Sequence, residues 1–182
     1  ATALATLGAS VVAMDHRPSR TGLLAGNVAR LGASIGIITG DAARPPLRPS
    51  SAAVVLVDAP CSGLGVLRRR PDARWRVEAE HVGRLAELQR RLLRAAADLV
   101  APGGYLVYSV CTFTRAETVD VAVAVGEAIG VDGPDAGWAT APLRPAGWRV
   151  HGGGALVLPQ DHGTDGMAGF AWRRSGGVGE HG

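Results

Sequence analysis

The sequence predicts an α/β fold with a mainly parallel sheet, and three observations carry that expectation. Short apolar, β-branched runs alternate along the chain with longer stretches of helical periodicity. The run Val54-Val55-Leu56-Val57 has no polar alternation, as expected of a strand buried on both faces. Four of the strand-like segments end in a chemically useful residue: Asp15, Asp41, Asp58 and Cys111. Parallel strands point one way, so these tips are expected on one edge of the sheet, where ligands of open α/β sheets bind. With 182 residues and 47% hydrophobic content, the chain can bury the core of one domain.

The elements follow in order. Leu4 to Leu7 reads as a helix end stopped by Gly8, and Ser10 to Met14 as a strand with Asp15 at its tip. Pro18 and Ser19 open a helix through Leu23, Leu24, Val28 and Leu31, which Gly32 closes. Ile35 to Ile38 is a second strand, followed by Gly40-Asp41. Pro45, Pro46 and Pro49 then mark a loop before the strand at Ala53 to Val57. Pro60 constrains the backbone leading to Cys61, and Gly63 and Gly65 permit close backbone approach. After the irregular basic segment Arg68 to Arg76, a helix is expected with Val82, Leu85, Leu88, Leu92, Ala96 and Leu99 on its apolar face. Glu80–Arg84 and Glu87–Arg91 would be i,i+4 pairs on its outer side. Pro102-Gly103-Gly104 turns into a strand from Tyr105 to Val110, and Ala116 to Ile129 reads as helical. Gly133 to Gly147 reads as loop, Ala155 to Leu158 and Met167 to Arg173 as closing strands, and 175–182 as a disordered tail.

Composition narrows the setting. All 19 basic residues are arginines, on a chain of formal net charge +3. Arginine's planar fork suits phosphate and stacks on bases, which favours a polyanionic partner. No apolar run is long enough to cross a bilayer, so no membrane partner is expected. Two cysteines without a secretory signal point to the reducing cytoplasm. The first residue is Ala and the chain opens as if within a helix, so a piece of a longer protein is expected.

Asp15 can accept hydrogen bonds from ribose hydroxyls and Asp41 from an adenine amino group; together they suit an adenosine-containing cofactor. The plainer alternatives are a turn or cap aspartate and a Gly-Asp turn. Cys61 and Cys111 end adjacent-looking strands, so that one thiolate could add to an activated double bond while the other assists. The plainer alternative is a loop thiol and a small buried hydrophobe. Neither cysteine has a Cys or His at ligand spacing, so no metal is expected.

Asp58-Ala59-Pro60-Cys61-Ser62-Gly63-Leu64-Gly65, together with Tyr108-Ser109-Val110-Cys111-Thr112, resembles the RsmB/Nop/Sun family of RNA 5-methylcytosine methyltransferases, the bacterial 16S ribosomal RNA enzymes above all. Arg68 to Trp75, Leu88-Gln89, Pro102-Gly103-Gly104 and His162 to Met167 share in the resemblance, which runs from about Val11 to Arg174. It implies a Rossmann-like S-adenosylmethionine-dependent sandwich, with residues 1–174 forming a partial catalytic domain. It further implies that Cys111 attacks C6 of the target cytosine and that Cys61 helps remove the C5 proton. Asp58 would hold the base edge and lie against the cofactor, with Asp15 and Asp41 on its ribose and adenine ends. Arg68, Arg69, Arg70 and Arg74 would hold phosphates of an unstacked RNA, ribosomal or transfer.

The chain departs from the family pattern in three places. It begins after the expected position of the first strand and the glycine-rich cofactor loop. Val110 precedes the expected nucleophile where threonine is common, and Arg115-Ala116-Glu117-Thr118 is a weakened Pro-Glu-Glu-Asn-like stretch. Two alternatives therefore stand beside the leading one: a cytosine C5 methyltransferase with Cys61 as nucleophile, and a truncated RNA-binding module without turnover. Oligomeric state is left open.

Overall fold

The computed structural model describes residues 1–75, 77–132 and 136–176, in two compact units, 1–46 and 47–182. Arg76 of the basic segment, part of the expected loop (133–135) and most of the expected tail (177–182) lie outside the described residues.

The first unit comprises α1 (Thr2–Thr6), β1 (Val11–Asp15), α2 (Pro18–Leu31) and β2 (Ile35–Thr39). Pro18 starts α2 because its ring presets the helical φ and its missing N–H needs no partner there. Gly32 ends the helix in the left-handed region at φ 60°. The strands pair in parallel, from Val11 opposite Ile35 to Asp15 opposite Thr39. Thr21, the buried residue of α2, meets the Thr39 hydroxyl at 2.7 Å and so ties the helix to the end of β2.

The second unit begins with β3 (Ala52–Asp58), then α3 (Ala79–Leu99), β4 (Val100–Val110) and α4 (Val119–Ile129). It closes with β5 (Trp138–Thr140), β6 (Arg149–His151), β7 (Gly154–Val157), the short α5 (Pro159–His162) and β8 (Met167–Arg174). The sheet order is β3-β4-β8-β7-β6. β3 and β4 are parallel, whereas β8 returns antiparallel to β4. Along its other edge, β8 pairs first with β7 and then with β5. Leu106, Tyr108 and Val110 alternate inward from β4 onto Leu93, Ala96 and Val100, Val121 and Val125 of α4, and Phe170 and Trp172 of β8.

Several expectations are corrected. β3 is the outermost strand of its sheet and is covered on one face only: Val55 and Val57 pack on the core, while Val54 and Leu56 on the other face are exposed rather than buried. Pro102-Gly103-Gly104 lies inside β4, where the register slips between Ala52 and Val54; Gly103 takes φ 79°, and a side chain on Gly104 would strike the Ala53 carbonyl. Glu80 pairs with Arg84 as expected, but Glu87 pairs with Arg90 at 3.2 Å rather than with Arg91. The expected loop contains β5, anchored by the buried Trp138. No described helix is long and apolar enough to cross a membrane.

Candidate active site

In the first unit, Asp15 ends β1 and Asp41 follows β2. Asp15 Oδ1 accepts the Arg17 N–H at 2.9 Å, and Asp41 Oδ1 accepts the Ala43 N–H at 2.9 Å. Each aspartate therefore makes the plain turn contact with one oxygen, which fixes the direction of the other. The Gly40 N–H donates to the Asp15 carbonyl at 3.1 Å, so both carboxylates stand on one edge of the parallel pair.

The second unit holds the thiols. Asp58 at the end of β3 lies opposite Ser109, and Cys111 follows β4 by one residue. The loop after β3 needs its glycines. Gly63 takes φ 71°, in the left-handed region that glycine enters without strain. The Gly65 N–H donates to the Cys111 carbonyl at 2.9 Å, and the Gly65 carbonyl accepts the Gly166 N–H at 2.8 Å. One glycine thus stitches together the loops that carry Cys61, Cys111 and Asp165. The Cys61 and Cys111 sulfurs stand 3.3 Å apart as free thiols.

That approach sets the ionisation of the pair. Cys61 packs against the apolar core, which favours its neutral form and makes it the donor. The hydrogen bond from Cys61 pulls the Cys111 thiol down to about 7, against burial and the charges of Asp58 and Asp165. Cys61 moves the other way, pushed up by its bond to Cys111, by burial and by the neighbouring negative charge. The arrangement offers a thiolate at Cys111 near neutral pH, with a protonated thiol beside it.

Around the sulfurs lies a buried polar network, whose Gln89 and Glu117 the sequence reading named only within family-like stretches and gave no role. Gln89, wholly buried on α3, donates to the Pro60 carbonyl at 2.8 Å and to Glu117 at 3.2 Å. Tyr108 Oη, between the Gln89 side-chain oxygen at 2.9 Å and the Glu117 carbonyl at 2.6 Å, donates its proton to one of them. Gln89 sits three residues after the buried Ala86, so the inward stripe of α3 is turned relative to the expected leucine face. A glutamine on such a stripe was the available signal.

The basic segment is divided in its use. Arg69 forks onto Asp165, with Nε to Oδ1 at 3.1 Å, and Arg68 donates to the Gly163 carbonyl. Arg70 is exposed, and the Arg74 guanidinium lies 4.6 Å from the ring centre of Trp75, a side chain 78% exposed.

Comparison with known proteins follows the same lines. A relative from Mycobacterium tuberculosis is 42% identical over 168 residues, covering 91% of this chain and 35% of that protein. Ribosomal RNA small subunit methyltransferase B of Thermus thermophilus is 44% identical over 114 residues, 63% of this chain and 28% of the relative. The crystal structure of NSun6 from Pyrococcus horikoshii with SFG superposes at a TM-score of 0.79 and 26% identity, covering 94% of this chain and 44% of that one. The chain spans about a third of the length of these curated relatives. A family model described as 16S rRNA methyltransferase RsmB/F matches residues 1–169. The chain belongs to the RsmB/F family of 16S rRNA methyltransferases.

Proposed function

We propose that the protein methylates C5 of a cytosine in RNA, 16S ribosomal RNA first, in the cytoplasm, with Cys111 as nucleophile and Cys61 assisting release. The observation that carries this reading is the 3.3 Å approach of the two sulfurs, with the thiolate favoured at Cys111. A lone reactive thiol would need no such partner.

The residues fit an adenosine-containing cofactor. Asp15 and Asp41 stand on one edge of the first unit, each with its direction fixed by a backbone N–H. They would accept from the ribose hydroxyls and the adenine amino group of S-adenosylmethionine. When bound, S-adenosylmethionine supplies an electrophilic methyl group. Asp58, in the second unit, would accept from the base edge.

The chain's own residues then act in sequence. The Cys111 thiolate adds to C6 of the cytosine, and the C5=C6 electron pair moves to make C5 nucleophilic. After C5 carries the methyl group, its proton must leave so that the C5=C6 bond re-forms and Cys111 departs as thiolate. Cys61 suits the role of base at that stage. Once Cys111 is bonded to carbon it neither accepts the Cys61 hydrogen bond nor carries charge, so two of the causes that hold the Cys61 proton disappear. That proton passes to solvent, and the Cys61 sulfur takes the one from C5. Arg70 and Arg74 would meet phosphates, and Trp75 offers a face on which an unstacked base can lie.

The test uses full-length protein carrying Cys61→Ala, incubated with S-adenosylmethionine and 16S ribosomal RNA and run on a denaturing gel. A retarded protein–RNA band that disappears when Cys111 is also changed is the expected result. A band from Cys111→Ala that depends on Cys61 would reverse the roles. No band from either variant, with no methyl transfer by the wild type, would leave a binding module.

A further inference from the structure

The acidic side chain nearest the two cysteine loops in the buried network is Glu117, in a short 3-10 turn at Arg115–Glu117 after β4. It is wholly buried. Its Oε1 accepts the Ser62 N–H at 2.8 Å and Gln89 Nε2 at 3.2 Å. Its Oε2 accepts the hydroxyls of Ser62 at 2.5 Å, Thr114 at 3.0 Å and Thr112 at 3.3 Å. An ionised carboxylate only accepts hydrogen bonds, and here both oxygens are filled by protein donors, leaving little capacity for a substrate.

The identity of those donors gives the arrangement its meaning. Ser62 follows Cys61 in the chain, and Thr112 follows Cys111. Ser62 and Thr112 also meet each other, hydroxyl to hydroxyl, at 3.0 Å. The third anchor, Gln89, comes from α3 and holds the Pro60 carbonyl on the other side of Cys61. The carboxylate therefore binds the residue beside each sulfur and references both loops to a buried helix.

We propose that Glu117 is a positioning residue, whose buried carboxylate clamps the Cys61 loop to the Cys111 loop and so fixes the approach of the two sulfurs. This rests on the reading of Cys111 as nucleophile beside Cys61. Glu117 touches neither sulfur in any hydrogen bond described above; it acts through Ser62 and Thr112. Without the clamp the Ser62 N–H and the threonine hydroxyls lose their acceptor, the loops part, and the Cys61 thiol no longer donates to Cys111.

The experiment reads the thiol pair directly. Full-length wild type, Glu117→Ala and Glu117→Gln are pulsed with iodoacetamide across the neutral pH range, and alkylation of Cys111 is followed by peptide mass mapping. Cys61, Asp58 and Asp165 are the groups that bear on Cys111, and all three are retained in these variants. In Glu117→Ala, the Cys111 midpoint should rise from about 7 toward the ordinary thiol value of 9.0. A rise of about one unit lowers alkylation below the midpoint roughly tenfold. Glu117→Gln keeps one carbonyl acceptor for the Ser62 N–H, and the hydroxyls can rotate to meet its amide, so it should recover most of the wild-type profile.

A folded Glu117→Ala protein whose Cys111 titrates as in the wild type would overturn the proposal. Should Glu117→Ala fail to fold, Ser62→Ala takes its place: a smaller upward shift supports the clamp, and an unchanged profile removes it. Methyl transfer to RNA is measured alongside. A wild type with the low Cys111 midpoint but no transfer would sink the functional reading and leave the clamp standing.

Discussion

Gly65 and Gly166 meet backbone to backbone, and Gly65 also donates to the carbonyl of Cys111. The Gly166 N–H donates to the Gly65 carbonyl at 2.8 Å, and a β-carbon on Gly65 would run into the Gly166 carbonyl and crowd that of Cys111 at 2.9 Å. Both obstacles are backbone, so they cannot swing aside as a flexible side chain would. Gly65→Ala should therefore destabilise the second unit by about 1–3 kcal/mol, the range for forced overpacking. Urea denaturation measures it, and a variant with the wild-type midpoint and slope would show that these loops part more easily than described.

Cys61→Ala should change how Cys111 responds to pH. The thiolate is the reactive form, so alkylation of Cys111 in the wild type should rise as pH rises through about 7 and then level off. The Cys61 thiol supplies the hydrogen bond that favours this thiolate, while burial, Asp58 and Asp165 oppose it. Removing the donor leaves only the backbone N–H of Cys111 itself to oppose those three, and the midpoint should move up. A Cys61→Ala protein with an unchanged profile would mean that another donor stabilises Cys111.

Tyr108→Phe isolates one link of the buried network. The phenol is wholly buried between Gln89 and the Glu117 carbonyl. Burial first, then the charge of Glu117, keep it protonated well above the working pH range, so it acts only as a hydroxyl. Losing it leaves buried acceptors with one donor fewer, at a cost of about 1–3 kcal/mol. Ring packing on Phe170, with centroids 6.1 Å apart, should survive, so near-native folding with a lowered urea midpoint is expected.

These predictions draw unequally on what the sequence discloses. The strands ending in Asp15 and Asp58, and the one that Cys111 follows, were legible because β-branched runs and closing residues are local signals. So was the end of α2, because a left-handed C-cap favours glycine. β5 and β6 were not, since three residues show no period and take their shape from β8 and β7. The role of Glu117, named only within a weakened family-like stretch, was illegible for a different reason. In its own segment it looks like a turn acid beside Thr112 and Thr114, and its remaining donors, Ser62 and Gln89, lie 55 and 28 residues away. The Arg69–Asp165 pairing, 96 residues apart, was equally invisible, and it gives part of the basic segment a structural duty.

That duty separates Arg69 from Arg70. The Arg69–Asp165 pair is largely exposed on the arginine side, so Arg69→Ala should cost no more than about 1 kcal/mol of stability. Arg70 is exposed, and in the proposed function it meets RNA phosphate. Arg70→Ala should leave stability unchanged and lower the slope of log affinity against log salt by about 0.7 for single-stranded RNA. Filter binding at several salt concentrations checks this; an unaltered slope would take Arg70 out of the RNA contact.

Trp75 allows the sharpest separation of binding from folding. Trp75 is 78% exposed, and the Arg74 guanidinium lies over the ring at 4.6 Å from its centre, so the rest of the aromatic surface is open next to a positive charge. A base stacked on such a ring contributes about 1–3 kcal/mol. Trp75→Ala should therefore weaken binding of single-stranded RNA by roughly five- to 150-fold while the urea midpoint stays within error of the wild type. Trp75→Phe keeps an aromatic face and should recover much of the affinity. Equal affinities for all three proteins would mean that the exposed ring does not meet RNA, and the phosphate contacts alone would have to hold the unstacked strand.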